Sequence, residues 1–227
     1  MKNITLIIPA KEESESLPLV LEELKKFDFT IKIILKENDV ETINSIKEFN
    51  CEIIFQNGTG YGNALINGIN NTNTEYVCIF NADGSFNPAE LTKMFELMKS
   101  SESDFIFASR YKKNGGSDDD SLLTFIGNKI FSKLGNILFS LKISDILYTY
   151  IMGNTSSYKS LKIQSEDFRF CVELPIKMQV SLMKYECLPS YEKKRIAGKK
   201  KVNAFIDGFL ILLEMIKLFI NIKIFRN

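Results

Sequence analysis

A short acidic turn after an apolar run is the part of the sequence with the clearest potential for chemistry. Residues Tyr76–Phe80 form an apolar run typical of a buried strand, and Asn81-Ala82-Asp83 follows directly, with Pro88 suited to the first turn of a helix. In an open α/β sheet, ligands bind at the carboxyl ends of the strands. The pattern therefore predicts that Asp83 holds a metal ion bound to a diphosphate. A helix-capping Asp on an ordinary loop is the alternative.

Two other loops could contribute to such a site. Pro9-Ala10-Lys11-Glu12-Glu13 follows the apolar run Ile4–Ile8, and it predicts either a ligand loop or a capped helix start. Further along, Gly58, Gly60 and Gly62 precede a helical pattern. Such glycines let backbone N–H groups approach a phosphate, but they suit a flexible turn with close helix packing equally well. A Walker loop is excluded because its Gly-Lys-Ser/Thr is missing.

The composition excludes several classes of site. None of the 227 residues is a histidine, so a histidine triad is excluded and any general base or metal ligand must be a carboxylate. The net charge of +1 gives no general case for binding nucleic acid. The chain begins directly with a predicted strand, from which we expect no signal peptide. The four cysteines form no Cys-x-x-Cys pair, which favours buried free thiols: Cys51, Cys78, Cys171 and Cys187.

Strand and helix patterns alternate through the first half of the chain. This order predicts an α/β fold with a mostly parallel sheet and helices on both faces. The polar, glycine-containing stretch 112–120 is expected to be a mobile loop. The predicted strands are Ile4–Ile8, Ile31–Leu35, Glu52–Phe55, Tyr76–Phe80 and Asp104–Ala108, and the predicted helices are Leu17–Lys26, Thr42–Phe49, Asn63–Asn70 and Ala89–Lys99.

Two later segments, Leu122–Leu147 and Val202–Phe225, are unusually apolar. A helix over the second would confine most of its polar residues to one narrow stripe, so its apolar surface requires a partner. The candidates are the first segment, another subunit in a homo-oligomer, or a bilayer surface. Because charges in mid-membrane are costly, an interfacial or re-entrant helix is favoured over a span. The stripe consists of Asn203, Asp207, Glu214, Lys217 and Asn221.

Together these motifs resemble the GT-A glycosyltransferases of family two, and among them the dolichyl- or polyprenyl-phosphate sugar synthases. The resemblance covers most of residues 4–210 and depends on the order of seven motifs, since no single motif is specific. The motifs are Pro9–Glu13, Gly60–Ala64 with Gly68 after it, Asn81–Asp83, Ala108–Tyr111, Asp145, Phe170–Leu174 and Arg195–Val202.

The resemblance implies a Rossmann-like GT-A domain over residues 1–201, with 122–147 as an apolar helical segment, and a C-terminal helix over 202–227. It implies a nucleotide-diphosphate sugar as donor, linked to UDP or GDP, and Mg²⁺ or Mn²⁺ held by Asp83 and Asn81. The implied catalytic residues are Asp83, Arg110 and Arg195. The implied donor-binding residues are Pro9, Ala10, Glu13, Glu37, Asp39, Gly60, Asn63, Asn81, Ala82, Asp83, Arg195, Lys199 and Lys201. The implied acceptor-binding residues are Ser109, Arg110, Tyr111, Asp145 and Glu173.

The chain departs from the family pattern at several positions. Glu12 precedes Glu13 where the family has Asn, and residues 36–39 read Lys-Glu-Asn-Asp where the family has Asp-Asp-Gly-Ser. Glu37 or Asp39 is left to recognise the nucleotide base. Asn81 replaces the first acidic residue of the metal motif, although an amide oxygen can still ligate a hard cation. The basic run from 193 to 201 predicts a clamp on the diphosphate, with a solvated loop or a contact with anionic lipid as the alternative.

The implied acceptor is a polyprenyl phosphate, whose oxygen is already anionic at neutral pH because the second pKa of a phosphate monoester is about 6. Such an acceptor needs little help from a general base, in agreement with the absence of histidine. Arg110 would hold its phosphate, or would form a structural ion pair instead. In-line attack would invert the anomeric carbon. The expected location is the cytoplasmic face of a membrane, with the protein peripheral or interfacial.

Two other functions remain open. A sugar hydroxyl could be the acceptor, and that reaction needs a carboxylate base, for which Glu173 and Asp145 are the candidates. A catalytically weakened sugar-nucleotide-binding or scaffold protein is the other alternative, because Asn81 and the altered base loop reduce the match to active members.

Overall fold

The computed structural model describes residues 2–198 and 201–225, in which strands and helices alternate. The strands are β1 Ile4–Pro9, β2 Thr30–Leu35, β3 Glu52–Phe55, β4 Tyr76–Ile79, β5 Phe105–Ser109, β6 Gly116–Ser117, β7 Ile151–Asn154, β8 Tyr185–Pro189 and β9 Tyr191–Glu192. The helices are α1 Leu17–Leu24, α2 Val40–Ser45, α3 Tyr61–Asn70, α4 Ala89–Ser101, α5 Leu122–Phe139, α6 Thr155–Ser160, α7 Phe170–Val180 and α8 Ala204–Phe225.

Seven strands form one sheet in the order β3-β2-β1-β4-β7-β5-β8. Strand β7 runs antiparallel to both of its neighbours, and the other pairs in this sheet are parallel. Strands β6 and β9 form a separate parallel pair. The predicted α/β class, with a mostly parallel sheet, is confirmed.

Helices cover both faces of the sheet because side chains of each strand alternate between them. In β1, Leu6 and Ile8 pack with residues of α1 and α4, while Ile7 packs on the opposite face with residues of α3, α7 and α8. Helix α3 approaches β1 closely at Gly68, where a Cβ atom would lie 2.4 Å from Cγ2 of Ile7. The sheet is therefore buried on both faces, which explains the continuous apolar runs of its central strands.

The order of the strands creates a crevice between β1 and β4. From β1 the chain proceeds outward through β2 to β3, and it then returns to β4 on the other side of β1. The loops that follow β1 and β4 consequently diverge, and ligands bind at such a switch point in open α/β sheets. This topology places the loop of Glu13 beside the turn of Asp83.

The five predicted strands are confirmed, with bounds that differ by at most one residue at either end. The expectation of a helical segment over 122–147 is wrong in its second part, because α5 ends at Phe139 and Ser140 adopts a left-handed backbone. The apolar residues beyond it, including Ile143 and Ile146, enter the core as irregular chain. The stretch 112–120 contains β6 rather than only a mobile loop.

The predicted C-terminal helix is present as α8, which packs on α5 and α7. It contributes Ile211, Met215 and Leu218 to the core. Among the residues that the structure describes, no helix is both long enough and apolar enough to cross a membrane.

Candidate functional site

A cavity of about 720 Å³ opens at the carboxyl ends of β1, β2, β3 and β4. One end of it is lined by Lys36 and Gln56, which follow β2 and β3. The other end is lined by Tyr148 and Thr149, which precede the antiparallel strand β7 and therefore reach the same edge of the sheet. The turn that carries Asp83 lies between these two ends. The volume of the cavity is typical of a small-molecule site.

The cavity brings together many of the residues predicted from sequence. Those that line it are Pro9, Ala10, Glu13, Asp39, Gly60, Asn81, Ala82, Asp83, Arg110, Arg195 and Lys201. Predicted residues outside its lining are Glu37, Asn63, Ser109, Tyr111, Asp145 and Glu173. Lys199 lies outside the described residues.

The Asn81–Ser85 turn is held by its own side chains. Asp83 Oδ1 accepts a hydrogen bond from the backbone N–H of Ser85 at 3.0 Å, and Asn81 Nδ2 donates to Ser85 Oγ at 3.2 Å. Gly84 has a φ of +79°, a conformation that favours glycine. Because Asp83 uses Oδ1 for the bond to Ser85, its Oδ2 is available to another partner. Because Asn81 uses its amide nitrogen, its amide oxygen is available as a metal ligand.

The chain segment 193–196 is attached to this turn through backbone hydrogen bonds. The N–H of Lys193 donates to the carbonyl oxygen of Ser85 at 2.8 Å, and the N–H of Ile196 donates to that of Asp83, also at 2.8 Å. A Cβ atom on Gly84 would lie 2.4 Å from Cδ1 of Ile196, so the two segments are in close contact. These contacts place Arg195 beside Asp83.

Arg195 lies between two carboxylates. Its Nη2 is 3.5 Å from Oδ2 of Asp83 and 3.2 Å from Oδ2 of Asp119. Burial alone would lower the pKa of Arg195, but these two carboxylates raise it above its ordinary value. Its buried Nε has no hydrogen-bond partner among the described residues. The guanidinium is thus a fixed positive charge with an unused donor at the wall of the cavity.

Glu13 is a buried carboxyl in the same cavity. Its Oε2 accepts a hydrogen bond from Ser16 Oγ at 2.7 Å, and its backbone N–H donates to Thr42 Oγ1. Burial raises the pKa of Glu13, and the charge of Asp83 adds to this increase against the opposing effects of Ser16, Lys201 and Arg195. The charged form of Glu13 is therefore less favourable in the folded protein than in the unfolded chain.

We expect Glu13→Gln to raise the melting temperature at neutral pH. Because the folded-state pKa of Glu13 is raised, its stabilising contribution is fully present below the unfolded-state pKa of about 4.3 and is lost as the pH rises through the folded-state value. The variant should melt at a higher temperature than the wild type near neutral pH, by about 2–4 °C for each kcal/mol of unfavourable charge burial that the substitution removes. The gain should vanish near pH 4.

Thermal melts of Glu13→Gln and the wild type across this pH range would measure the difference. Glu15→Gln, at an exposed position of the same loop, is the matched control and should leave the melting temperature unchanged at every pH. A Glu13→Gln protein that melts no higher than the wild type at neutral pH would contradict the assignment of a buried, destabilising charge.

Arg110 lines the cavity but is engaged in ion pairs. Its Nε and Nη2 donate to the two oxygens of Asp145 at 2.8 and 2.9 Å, and its Nη1 donates to Glu192 at 3.0 Å. The guanidinium lies over the ring of Tyr148, with 4.6 Å between its central carbon and the ring centroid. Although burial alone would lower the pKa of Arg110, Asp145 and Glu192 raise it above its ordinary value. This geometry favours the structural ion pair over a free acceptor ligand.

The glycine loop packs against another backbone segment. A Cβ on Gly60 would lie 2.3 Å from the carbonyl oxygen of Glu166, and one on Gly62 would lie 2.2 Å from that of Ser165. The side chain of Asn63 donates to Oε1 of Glu166 from a buried position. Close packing therefore accounts for these glycines, while Gly60 still lines the cavity.

Glu173 holds the segment against which the glycine loop packs. Its carboxylate accepts backbone hydrogen bonds from Gln164 and Ser165, and it pairs with Lys177 at 2.6 Å. Burial alone would raise the pKa of Glu173, but Lys177 and the N–H donors keep it below the ordinary value. A carboxylate held in this way is a structural anion, unlike the basic group that proton abstraction requires.

The Asn81–Ser85 turn offers too few oxygen ligands to hold a divalent cation by itself, but enough to hold one together with a bound diphosphate. No three carboxylate, cysteine or histidine side chains form a metal cluster anywhere in the described ranges. One carboxylate oxygen of Asp83 and the amide oxygen of Asn81 are the hard ligands at the turn. Since Mg²⁺ commonly binds one or two carboxylates together with substrate phosphates and waters, the two residues fit a cation that is shared with a diphosphate.

Sequence reasoning missed the side chains at the two ends of the cavity. Lys36 and Gln56 follow parallel strands, so the position of strand ends could have identified them. No local signal marks Tyr148, Thr149 or Glu192, because they reach the cavity only through the antiparallel strand β7 and the short strand β9. Further lining residues are Lys11, Glu12, Asn38, Thr59, Tyr61, Ala64, Phe86, Leu147, Phe168, Cys171 and Val202.

The chain resembles known glycosyltransferases in sequence. The family model described as "Glycosyl transferase family 2" matches residues 5–162. Among curated proteins, the chain is 20% identical over 214 residues to a low-salt glycan biosynthesis hexosyltransferase, Agl6, of Haloferax volcanii. The match covers 91% of the chain but 51% of that protein, so the chain spans about half the length of this relative.

Two groups of solved structures share the fold. Glucosyl-3-phosphoglycerate synthase from Mycobacterium tuberculosis, solved with Mn²⁺, UDP and phosphoglyceric acid, matches with a TM-score of 0.72 at 11% identity, over 96% of this chain and 78% of that chain. Mannosyl-3-phosphoglycerate synthase from Rubrobacter xylanophilus matches with a TM-score of 0.70 at 13% identity, over 94% of this chain and 72% of that chain. At such identities the likeness establishes the fold alone, and it confirms the GT-A architecture expected from the sequence.

Proposed function

Because the chain belongs to glycosyl transferase family 2, we propose that it transfers a sugar from a nucleotide-diphosphate sugar to a polyprenyl phosphate. The observation that carries the proposal is a single cavity in which three features meet. These are the Asp83 turn, the positive charge of Arg195, and an apolar wall that includes Leu147 and Val202. The first two suit the donor diphosphate, and the wall suits an acceptor with a hydrocarbon tail.

The donor occupies the end of the cavity nearest to β2 and β3. Lys36, Asn38 and Gln56 offer hydrogen-bond donors there for a nucleotide. The two carboxylate oxygens of Asp39 accept the backbone N–H groups of Glu12 and Thr42, which orient the side chain at this end of the cavity and leave further lone pairs for the base.

The diphosphate lies beside the Asp83 turn. Asp83 and Asn81 would hold Mg²⁺ or Mn²⁺, which when bound supplies Lewis-acid stabilisation of the leaving diphosphate. Arg195 donates hydrogen bonds to the phosphate oxygens through its planar guanidinium, and Lys201 adds a second positive charge. In the free protein Lys201 pairs with Glu12 at 3.1 Å, so donor binding exchanges that exposed pair for a phosphate contact.

The acceptor phosphate enters from the opposite end, where Tyr61, Tyr148 and Phe168 line the cavity. One of its oxygens attacks the anomeric carbon of the sugar in line with the leaving group. The new carbon–oxygen bond forms as the bond to the donor diphosphate breaks, and the nucleoside diphosphate leaves with the electron pair. No proton has to be removed, because the attacking oxygen is already anionic at neutral pH.

A small phosphorylated acceptor is the second candidate, favoured by the fold shared with the phosphoglycerate-linked synthases. A sugar hydroxyl fits the structure less well. Asp145 and Glu173 are the two carboxylates that could act as general base toward a hydroxyl. Both are buried, both accept hydrogen bonds from the protein, and neither lines the cavity.

Radiolabelled sugar transfer by the purified full chain tests the proposal. The chain would be given a panel of UDP- and GDP-linked sugars, Mg²⁺ or Mn²⁺, and either polyprenyl phosphate in detergent or phosphoglycerate in buffer. We expect label from one donor to enter the organic phase and to stop doing so when the metal is chelated. Label that appears only in an aqueous product would assign the small acceptor instead. Donor binding by calorimetry with no transfer in either assay would identify a sugar-nucleotide-binding protein.

A further inference from the structure

Helix α5 buries two polar side chains against the protein and exposes six apolar ones to solvent. Asn128 and Ser132 are buried, where Asn128 Nδ2 donates to Oδ1 of Asp145 at 2.6 Å and Ser132 Oγ accepts the N–H of Ile146 at 3.0 Å. This is the reverse of the arrangement expected for a helix on the surface of a soluble domain. The exposed apolar residues are Leu122, Leu123, Phe125, Ile126, Ile130 and Ile137.

Helix α8 also exposes a large apolar face, in addition to the apolar residues Ile211, Met215 and Leu218 that it buries in the core. Glu214 is 4% exposed and lies against the protein, with an oxygen 3.9 Å from Nη1 of Arg169, whereas Phe205 is 77% exposed. Seven apolar side chains recur along its outer face with helical spacing, and Lys217 lies at the margin of this face. The seven are Phe205, Ile206, Phe209, Leu212, Leu213, Ile216 and Ile220.

The two helices pack against each other and form one apolar surface. Phe139 of α5 contacts Phe219 of α8 edge to face, with 6.0 Å between the ring centroids, and Gly135 approaches Met215. We call the exposed apolar residues of α5 and α8 the docking surface. Contiguous apolar surfaces of this kind on soluble proteins mark sites of contact with a partner or a membrane.

The charges on and around the docking surface favour an anionic partner. Helix α5 contains no Asp or Glu, and its exposed face carries Lys129 and Lys133. The two carboxylates of α8 are set back from the exposed face: Asp207 is half-buried and accepts the N–H of Asn203, and Glu214 is buried and pairs with Lys217. A second copy of the chain would bring the exposed lysines of α5 against one another with no fully exposed carboxylate of α5 or α8 to pair with them, which is unfavourable.

We propose that the docking surface lies in the plane of a bilayer that contains anionic lipids. The apolar side chains enter the boundary between headgroups and acyl chains, and Lys129 and Lys133 extend their apolar stems to reach lipid phosphates. Val202, which is 47% exposed, precedes α8 and also lines the cavity, so the cavity opens beside this surface. This inference rests on the proposed function, because it assumes that the acceptor is a polyprenyl phosphate. That acceptor would enter the cavity while its hydrocarbon tail stays in the bilayer.

Vesicle flotation of the full chain tests the inference. We expect the wild type to float with vesicles of phosphatidylcholine and phosphatidylglycerol and to bind vesicles of phosphatidylcholine alone more weakly. The double variant Phe209→Ser/Ile216→Ser should bind about tenfold more weakly or worse to both kinds of vesicle. Lys133→Gln should lose about fivefold, and only on the anionic vesicles.

Leu19→Ser is the matched control, because Leu19 is an exposed apolar residue of α1 at 54% exposure and lies outside the docking surface. It should float like the wild type, and all variants should keep the wild-type melting temperature. Absence of flotation on both vesicle types, or equal losses for Leu19→Ser, would overturn the inference. A dimer in light scattering that Phe209→Ser/Ile216→Ser dissociates would assign the surface to a second copy instead.

Transfer assays with the wild type and the double variant distinguish a failure of this inference from a failure of the proposed function. With a short, water-soluble prenyl phosphate as acceptor, Phe209→Ser/Ile216→Ser should transfer sugar at the wild-type rate, since its cavity is unchanged. A wild type that floats but transfers no sugar to either prenyl phosphate would overturn the proposed function and leave the docking surface in place.

Discussion

Replacing Asp83 with alanine should reduce kcat/KM for sugar transfer by about 10²–10³-fold, the range measured when one preorganised electrostatic group is removed from an active site. Asp83 is the one carboxylate of the Asn81–Asp83 turn, and its Oδ2 faces Arg195 at the wall of the cavity. Without it the donor diphosphate loses its metal-binding carboxylate, and Arg195 remains paired with Asp119 alone. Steady-state kinetics with the donor identified by the transfer panel would measure the loss.

The isosteric change Asp83→Asn separates the charge from the shape of the turn. An asparagine can still accept the N–H of Ser85, so we expect a wild-type fold and a loss of activity close to that of alanine. Asp119→Asn is the matched control, because Asp119 pairs with the same guanidinium but does not line the cavity, and its effect should stay below tenfold. If Asp83→Asn retained full activity, Asp83 would only cap the turn, which is the alternative that the sequence leaves open.

Replacing Arg110 with alanine should produce the largest loss of stability. The side chain of Asp145 has no exposed surface, and alanine would leave its charge with only Asn128 and the backbone N–H of residue 110 as hydrogen-bond donors. Breaking one side of a buried ion pair costs about 3–5 kcal/mol. For a chain of this size that corresponds to a fall of roughly 6–20 °C in melting temperature, which calorimetry would detect.

The double variant Arg110→Met/Asp145→Leu tests the cause of that loss. It removes Arg110 and Asp145 together and fills their space with apolar side chains, while Glu192 keeps its hydrogen bond from Ser117, so it should recover part of the stability lost by Arg110→Ala. The opposite pattern would assign Arg110 to the acceptor: a wild-type melting temperature for Arg110→Ala together with abolished transfer. The experiment therefore decides between the two roles that the sequence allows for this residue.

Local sequence patterns were sufficient for the first half of the fold. Strands β1 to β5 are short apolar runs that end at polar or glycine-containing turns, and their local signals agree with their place in the sheet. Strand β7 was missed because its four residues, Ile151–Asn154, acquire their role only by pairing between β4 and β5. The end of α5 was missed because the apolar residues Ile143 and Ile146, which follow it, are buried in the core without being part of a helix.

The candidate site could be predicted where it depends on strand ends, and not where it depends on distant partners. Asp83 and Glu13 follow β4 and β1, so the topology brings them together without further information. Nothing in the sequence around Arg110 or Glu173 reveals that each would be surrounded by donors or acceptors from remote segments. Burial and pairing, which decide the chemistry of a charged side chain, are properties of the complete fold.

The attachment of residues 193–196 to the Asp83 turn has a consequence for redesign. The hydrogen bonds at Lys193 and Ile196 use only main-chain atoms, so the position of Arg195 is defined independently of its own side chain. The side chain at position 195 can therefore be replaced without displacing the backbone at the wall of the cavity. Libraries that vary this one position would sample new leaving-group chemistries, such as monophosphate or uncharged donors, while the surrounding scaffold keeps its register.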